Sequence, residues 1–516
     1  MKRIQNIIFM ALSLFYALLV PMTTSAEVVE EWVQRYDGGS FRYDKANSLA
    51  VDAAGNVYVT GYSSDSVTSY DYATIKYNTN GNLLWVQRYD GGSSGLDEAT
   101  SLAVDAVGNV YVTGYSFKLY SGSEYATIKY DTDGNLHWIQ RYNGGSGEDK
   151  ATSLVVDAAG NVYVTGMSND YDTGADYATI KYDTDGNLLW VQRYDGGRDY
   201  TSSLAVDAAG NVYVTGYSET DLGESEYATI KYDTNGNLHW VQRYNGSSSG
   251  VDEATSLAVD AAGNVYVTGE SYGDVTRWDY ATIKYDTNGN LHWVQRYDGG
   301  ISGYDKAMSL AVDAAGNVYV TGESFGEDST GTDYATIKYD TSGNLHWVQR
   351  YDGAGSSYDE ATSLDVDAEG NVYVTGESYD DIFSGTDYAT IKYDSNGNLH
   401  WVQRYDGGSS GFDKATSLVV DAAGNVHVTG YSDDAVTEYD YATIKYSEPV
   451  VTPGDMMEKA IEFYEEHLAD GTIYGLGSGD ADTAHEQLFG RMLDNVYELI
   501  LAGDEAGACK ALSKVV

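Results

Sequence analysis

The sequence predicts an all-β fold: an eight-bladed β-propeller of four-stranded antiparallel blades, closed by strand exchange and followed by a small C-terminal three-helix domain. Three observations carry that expectation. The stretch Val51-Asp-Ala-Ala-Gly-Asn-Val-Tyr-Val-Thr-Gly61 returns at Val104, Val156, Val206, Val259, Val312, Val366 and Val420, with starts 53, 52, 50, 53, 53, 54 and 54 residues apart. A period near 50 marks units that each form one supersecondary element and bury their faces only by stacking. Each unit then reads as four short strands with no helical period. The only prolines, Pro21, Pro449 and Pro453, leave every ladder position of the repeats intact.

In the first unit, Ser48–Val51 alternates small and large residues, as a packed strand does. Asp52-Ala-Ala-Gly55 is a turn opened by Asp and closed by Gly in a left-handed conformation. Asn56–Ser63 is the second strand, with Val57 and Val59 on one face and Tyr58 and Thr60 on the other. Tyr72–Tyr77 is the third strand, Asn78-Thr-Asn-Gly81 repeats the turn chemistry, and Asn82–Tyr89 is the fourth strand. Most other units open this last turn with Asp, as at Asp131 and Asp183.

The ends of the repeat region decide the blade number. The chain opens on a lone fourth strand, Trp32–Tyr36, and its last third strand, Tyr441–Tyr446, has no fourth strand after it. If the opening strand completes the last unit, eight units of four strands result and no edge is left unpaired. The alternative is an open stack that does not close.

The pattern running from Ser48 to Gly61, followed by Tyr-Ala-Thr-Ile-Lys-Tyr at 72–77, resembles the bacterial β-propeller repeat family labelled SBBP and, more distantly, NHL repeats. It covers about Trp32 to Tyr446. The resemblance implies an exported protein with a binding or surface-associated role, and it brings no catalytic motif. It also implies seven blades where the strands supply eight; eight is the expectation here.

Lys2 and Arg3, the apolar run Ile7–Val20 and Thr24-Ser25-Ala26 have the three parts of a secretory signal peptide, residues 1–26. The run is too short to span a bilayer comfortably. A secreted or cell-surface-associated protein without membrane insertion is therefore expected. A single cysteine, Cys509, excludes an internal disulfide framework. The formal charge of −48 sets aside nucleic acid and anionic membrane as partners. Solubility in a salty or calcium-containing medium explains that charge blandly; cation binding is the sharper reading. The propeller is assigned to 27–446, a linker to 447–454 and a helical domain to 455–516, where Met457, Ile461, Tyr464 and Leu468 recur at helical spacing. Through Ala469–Ile473 and Gly507–Cys509 this tail is similar to FIMAH-like helical domains of exported bacterial and archaeal proteins.

Strands of a blade alternate in direction, so the near-invariant turns share one face and the variable loops share the other. Function on rigid scaffolds concentrates in such loops. Two acidic positions recur there. Asp44, Asp97, Asp149, Asp199, Asp252, Asp305, Asp359 and Asp413 stand at the entrance to each first strand. Asp71, Glu124, Asp176, Glu226, Asp279, Asp333, Asp387 and Asp440 precede each third strand. Carboxylates are hard-oxygen ligands for Ca²⁺, the one cofactor this pattern suggests. The competing reading is that each carboxylate holds its own loop together or pairs with a neighbouring blade.

Departures from the repeat localise the functional lead. The residue after each repeat is Tyr62, Tyr115, Met167, Tyr217, Glu270, Glu323, Glu377 and Tyr431, so three Glu fall in consecutive blades. Trp278 is the only Trp outside the fourth strands and stands in a loop beside that sector. Acidic and aromatic groups together suit a sugar, a polyhydroxylated polymer or a cationic peptide; drift among exposed loop residues is the alternative. His137, His239, His292, His346 and His400 alternate with Leu84 and Leu189 at one position, and His427 replaces a strand Tyr, which reads as packing. Near-identical repeats supply like groups everywhere, whereas catalysis needs unlike groups at one place. The expected function is an exported, non-enzymatic binding or adhesion scaffold that recognises a polysaccharide, protein or surface ligand through its variable face. A lyase or hydrolase with an acidic site at the propeller mouth, and a structural or matrix protein, are the alternatives.

Overall fold

Within one repeat, Val57, Tyr58, Val59 and Thr60 are all fully buried, so both faces of the second strand are covered. That is what a sheet stacked between two neighbours requires, and it explains why this strand carries no polar face. The computed structural model describes residues 28–449 apart from 40–42, 65–68, 93–94, 146, 221–222, 247–249, 274–276, 301–302, 327–330, 354–357, 380–384, 409–410 and 435–437. The expected signal peptide, the linker from residue 450 and the helical domain lie outside the described residues. Glu30–Ser447 form one compact unit.

The described residues contain thirty-two strands in eight four-stranded antiparallel sheets. Blade one is Lys45–Val51, Val57–Ser64, Tyr70–Tyr77 and Leu83–Tyr89, paired in sequence order. Blades two to seven repeat this order. Blade eight runs Lys414–Val420, Val426–Asp434, Glu438–Ser447 and then the opening strand Val29–Tyr36. The expected strand exchange is present, and the ring has eight blades. First strands of neighbouring blades lie against one another all round the ring, Lys414–Val420 against Lys45–Val51 at the closure, so they line the axis.

Each first strand carries a β-bulge, between Ala46 and Ser48 in blade one and at the same place in its sisters. The bulged residue reaches the next blade: Thr100 Oγ1 donates to Ala151 O at 3.0 Å, and Thr416 Oγ1 donates to Ala46 O at 2.9 Å across the closure. Tyrosine fills the space between sheets. Tyr58 and Tyr72 of blade one pack with Ala99, Leu102, Val110, Val112 and Ile128 of blade two. Tyr72 also donates its hydroxyl to Ala126 O at 3.1 Å, and Tyr441 does the same to Ala73 O at 3.2 Å. A ring of this size bridges the roughly 10 Å between packed sheets and still satisfies its polar end.

The outer edge is stitched by tryptophan. Trp85 Nε1 donates to Thr132 O at 3.2 Å and its ring lies over Gly134, where an added Cβ would meet it at 2.9 Å. Trp32 of the opening strand makes the same contact with Thr79 O and Gly81 of blade one. The position shared by histidine and leucine faces outward instead: Leu84 and Leu189 are each 51% exposed. His137, His239, His292 and His346 stand 3.8, 4.0, 3.9 and 3.8 Å from a turn aspartate. That slot tolerates both residues because it is at the surface, which corrects the expectation that it packs.

Candidate functional site

The turn face is self-contained. Gly55 takes φ +79 and donates to Asp52 O at 2.9 Å, as the turn chemistry predicts. Asp52 does more than open the turn. Its Oδ1 accepts the N–H groups of Ala54 and Asn56, and its Oδ2 accepts Asn56 Nδ2 and the Tyr58 hydroxyl. Burial alone would raise its pKa, but these four donors outweigh it and hold the carboxyl below the usual range. His427 takes the Tyr place in blade eight, fully buried, with Nε2 3.0 Å from Asp421 Oδ2.

The loop face is held differently. Asp44 is fully buried, with Oδ2 accepting Gly38 N–H at 2.7 Å and Oδ1 accepting Ser64 N–H at 2.9 Å. Asp97, Asp252, Asp305, Asp359 and Asp413 clamp their loops with both oxygens in the same way. Asp149 accepts Gly144 N–H and the Ser168 hydroxyl. Burial pushes Asp44, Asp359 and Asp413 up to about 6, because two or three donors do not offset it. The second acidic position is paired with the Arg of each fourth strand: Arg88 Nη2 is 3.0 Å from Asp71 Oδ2, and Arg193 Nη2 is 2.6 Å from Asp176 Oδ2.

The two acidic positions therefore meet at the seams between blades, joined by a third aspartate that follows the fourth strand. Carboxylate oxygens of Asp71, Asp90 and Asp97 lie within 4.8 Å of one another, as do those of Asp176, Asp195 and Asp199, and of Asp279, Asp298 and Asp305. Sequence reasoning passed over both the third aspartate and the arginine. The signal was present: each recurs at fixed spacing in Arg-Tyr-Asp-Gly, as at Arg88-Tyr-Asp-Gly91.

The three candidate Glu belong to a belt formed by two positions per blade. One position, just after each first-strand Asp, is Lys45, Glu98, Lys150, Tyr200, Glu253, Lys306, Glu360 and Lys414. In the register it pairs with the residue after each repeat, as Glu253 pairs with Glu270 and Glu360 with Glu377. Its side chain also meets the preceding blade. Lys45 Nζ is 4.0 Å from the Tyr431 ring centroid, Lys150 Nζ is 5.1 Å from that of Tyr115, and Lys306 Nζ is 2.7 Å from Glu270 Oε1. Lys414 Nζ is 2.8 Å from both Glu360 Oε2 and Glu377 Oε1.

One seam breaks this complementarity. Glu323 of blade six is set against Glu360 of blade seven, and among the described residues it makes no hydrogen bond or ion pair. Burial first, then the charge of Glu360, push its carboxyl up to about 7, against the partial pull of Lys306 and Lys414. Trp278 stands beside this sector, as expected, but heads the third strand Arg277–Tyr285, opposite Tyr272, instead of lying in a loop. Its ring centroid is 5.2 Å from that of Tyr272 and 5.7 Å from that of Tyr304. Tyr304 is raised by burial and then by Glu270, whose carboxylate its hydroxyl meets. The structure thus joins Glu270 to Trp278 through Tyr304, and sets Glu323 and Glu377 on either side of Glu360.

Comparison with known proteins adds the family. Residues 31–66, 85–116, 137–172, 194–223, 240–275 and 347–384 match the beta-propeller repeat called SBBP. Six segments of the repeat region thus match the SBBP beta-propeller repeat. Among solved structures, the chain is similar to a eukaryotic initiation factor, at 11% identity and TM-score 0.40 over 69% of this chain and 77% of that one. It is similar to a gluconolactonase from Xanthomonas campestris, at 14% identity and TM-score 0.29 over 55% of this chain and 90% of that one. It is also similar to the propeller domain of the Trilobed protease from Pyrococcus furiosus, at 11% identity and TM-score 0.41 over 71% of this chain and 100% of that one. At such identities no activity passes from them to this chain. No curated protein matches the sequence.

Proposed function

We propose that this protein is an exported, non-enzymatic binding scaffold whose loop face takes a ligand bearing cationic groups, such as a basic peptide or an amine-bearing polymer. One observation carries the reading. Glu270 and Glu377 are each ion-paired with a Lys, but Glu323 faces Glu360, and the nearby Lys306 and Lys414 make their ion pairs with other carboxylates. A half-buried carboxyl facing another carboxyl is costly, and an ammonium or guanidinium from outside relieves that cost. The adjacent rings of Trp278, Tyr272 and Tyr304 offer a surface for the apolar stem or the cation of the same ligand.

The enzyme reading draws on Lys414, which stands within hydrogen-bond reach of Glu360 and Glu377 and so joins unlike groups in one place. The Lys is held protonated by those two carboxylates, its pKa raised against the effect of burial. A protonated Lys locked in an ion pair is a poor base, so binding is favoured over catalysis. Titration calorimetry with oligolysine, chito-oligosaccharide and a neutral oligosaccharide tests the proposal. The cationic probes should bind, about tenfold or more weakly to Glu323→Gln and unchanged to Glu98→Gln. Binding that survives Gln at Glu270, Glu323 and Glu377 together would place the site elsewhere.

A further inference from the structure

The seam between blades three and four departs from the other seams in a way that the belt does not explain. The repeats there are 50 residues apart, the shortest spacing in the chain. The whole shortening falls in the connection after Tyr194, so Gly196 donates to an aspartate only three residues on, where Gly91 donates across six. The first strand begins at Arg198, opposite Glu219. In the other blades that carry the two-oxygen clamp, the residue following the second-strand serine donates its N–H to the first-strand aspartate, as Phe117 and Phe325 do. Glu219 is drawn into the ladder instead, and Asp199 loses that donor.

Asp199 is consequently the only one of the eight first-strand aspartates with a buried oxygen, Oδ1, that has no hydrogen-bond partner. It does not stand alone. Asp176 of the preceding blade, 2% exposed, gives Oδ2 to Arg193 and keeps a buried Oδ1 without a partner. Ser218, opposite Asp199 in the register, also has a buried hydroxyl oxygen without a partner. That hydroxyl is freed because blade four carries Glu226 where most blades carry Asp. The longer side chain draws Arg243 by Nε at 2.8 Å, and the guanidinium no longer reaches the serine as Arg193 reaches Ser168. Ser218 holds the Asp199 carboxyl down, against a larger rise from burial.

Three buried oxygens left open at one seam, with the exposed carboxylate of Asp195 within 4.8 Å of its Asp176 and Asp199 partners, form a donor set of one kind. All are hard oxygens, and one oxygen from each of the three carboxylates lies within 4.8 Å of the others, a separation that ligand distances of about 2.4 Å allow. Leaving such oxygens dry and unpaired carries the full desolvation penalty of each. We infer that Asp176, Asp195, Asp199 and Ser218 bind one divalent cation of calcium's class at the seam of blades three and four. Water completes its coordination on the open side, where Asp195 is exposed. The site is neither a ring of eight nor part of the belt. At the seam of blades five and six, Asp305 already accepts an N–H on each oxygen, so the same three-aspartate pattern offers less to a cation.

The test is calcium titration of the EDTA-stripped full chain by calorimetry, with thermal unfolding in calcium and in EDTA. One equivalent should bind and raise the unfolding midpoint. Asp195→Asn, an exposed change the fold does not need, should weaken binding about tenfold or more, with Asp298→Asn at the other seam as an unchanged control. A folded chain that takes up no calcium, and whose midpoint calcium leaves alone, would mean that water fills the seam, and the inference fails. Equal weakening by both variants, or no weakening by Asp195→Asn, overturns it as well. Asp195→Asn does not touch Glu323, so the outcome is separate from that of the proposed ligand.

Discussion

Asp52 and Asp44 belong to the same blade and are shifted in opposite directions. Asp52 lies in a turn and collects four donors from its own six-residue neighbourhood, so it stays ionised well into acid. Asp44 lies at a blade seam, is more deeply buried and collects fewer donors, so it is pushed up to about 6. A group satisfied within its own blade can be copied eight times without regard to its neighbours. A group at a seam depends on what the adjoining blade presents, and its neighbours have diverged.

Experiments that remove one group from each face probe that contrast. The largest effect is expected at the turn face. Asp260→Ala strands four donors and should cost about 3 kcal/mol, read from the denaturant midpoint at unchanged slope. A loss below about 1 kcal/mol would show that water replaces the clamp without penalty. Lys414→Met on the loop face should cost roughly 2 kcal/mol at pH 8, because Glu360 and Glu377 lose their shared cation. The loss should shrink as the pH is lowered, because burial raises the Glu377 carboxyl and it takes up a proton instead.

The smallest change has the opposite sign. The carboxyl of Glu323 titrates near 7 in the folded chain, above its ordinary value of 4.5. A raised carboxyl favours folding at pH below its unfolded pKa, and that contribution is lost as pH rises through the folded pKa. Glu323→Gln should therefore stabilise the protein by about 1 kcal/mol at pH 8 and leave it unchanged at pH 4. Asp44, Asp359 and Asp413 act in the same sense between about 4 and 6, while the turn aspartates lose their contribution only below about 4. The wild-type melting midpoint should consequently be higher at pH 5.5 than at pH 8, and a higher midpoint at pH 8 would contradict the buried seam acids.

The blades and their closure were legible in the sequence because strand alternation and turn chemistry are local, and because Trp32–Tyr36 and Tyr441–Tyr446 are complementary remainders. The acidic sector was legible as a deviation at Glu270, Glu323 and Glu377. What it faces was not. Lys306, Lys414 and Glu360 meet these Glu across blade boundaries, tens of residues away in the chain, and no periodicity reports which side chain leans toward which neighbour. The sequence places Trp278 in a loop because the third strands vary at their heads, where Arg277–Tyr285 begins three residues before its Tyr-Ala-Thr-Ile-Lys-Tyr core.

The strand that closes the ring is the first to emerge and the last to find its place. Arg35 of Val29–Tyr36 bonds Asp440 and Ser432, some 405 and 397 positions later in the chain. Seven blades can assemble from local hairpins while that strand waits. Until Glu438–Ser447 arrives, two sheet edges stay open to other chains. Closure is thus the pairing of longest sequence separation in the ring, the kind of contact that pays the most loop-closure entropy, and it is also the one that removes the last open edges.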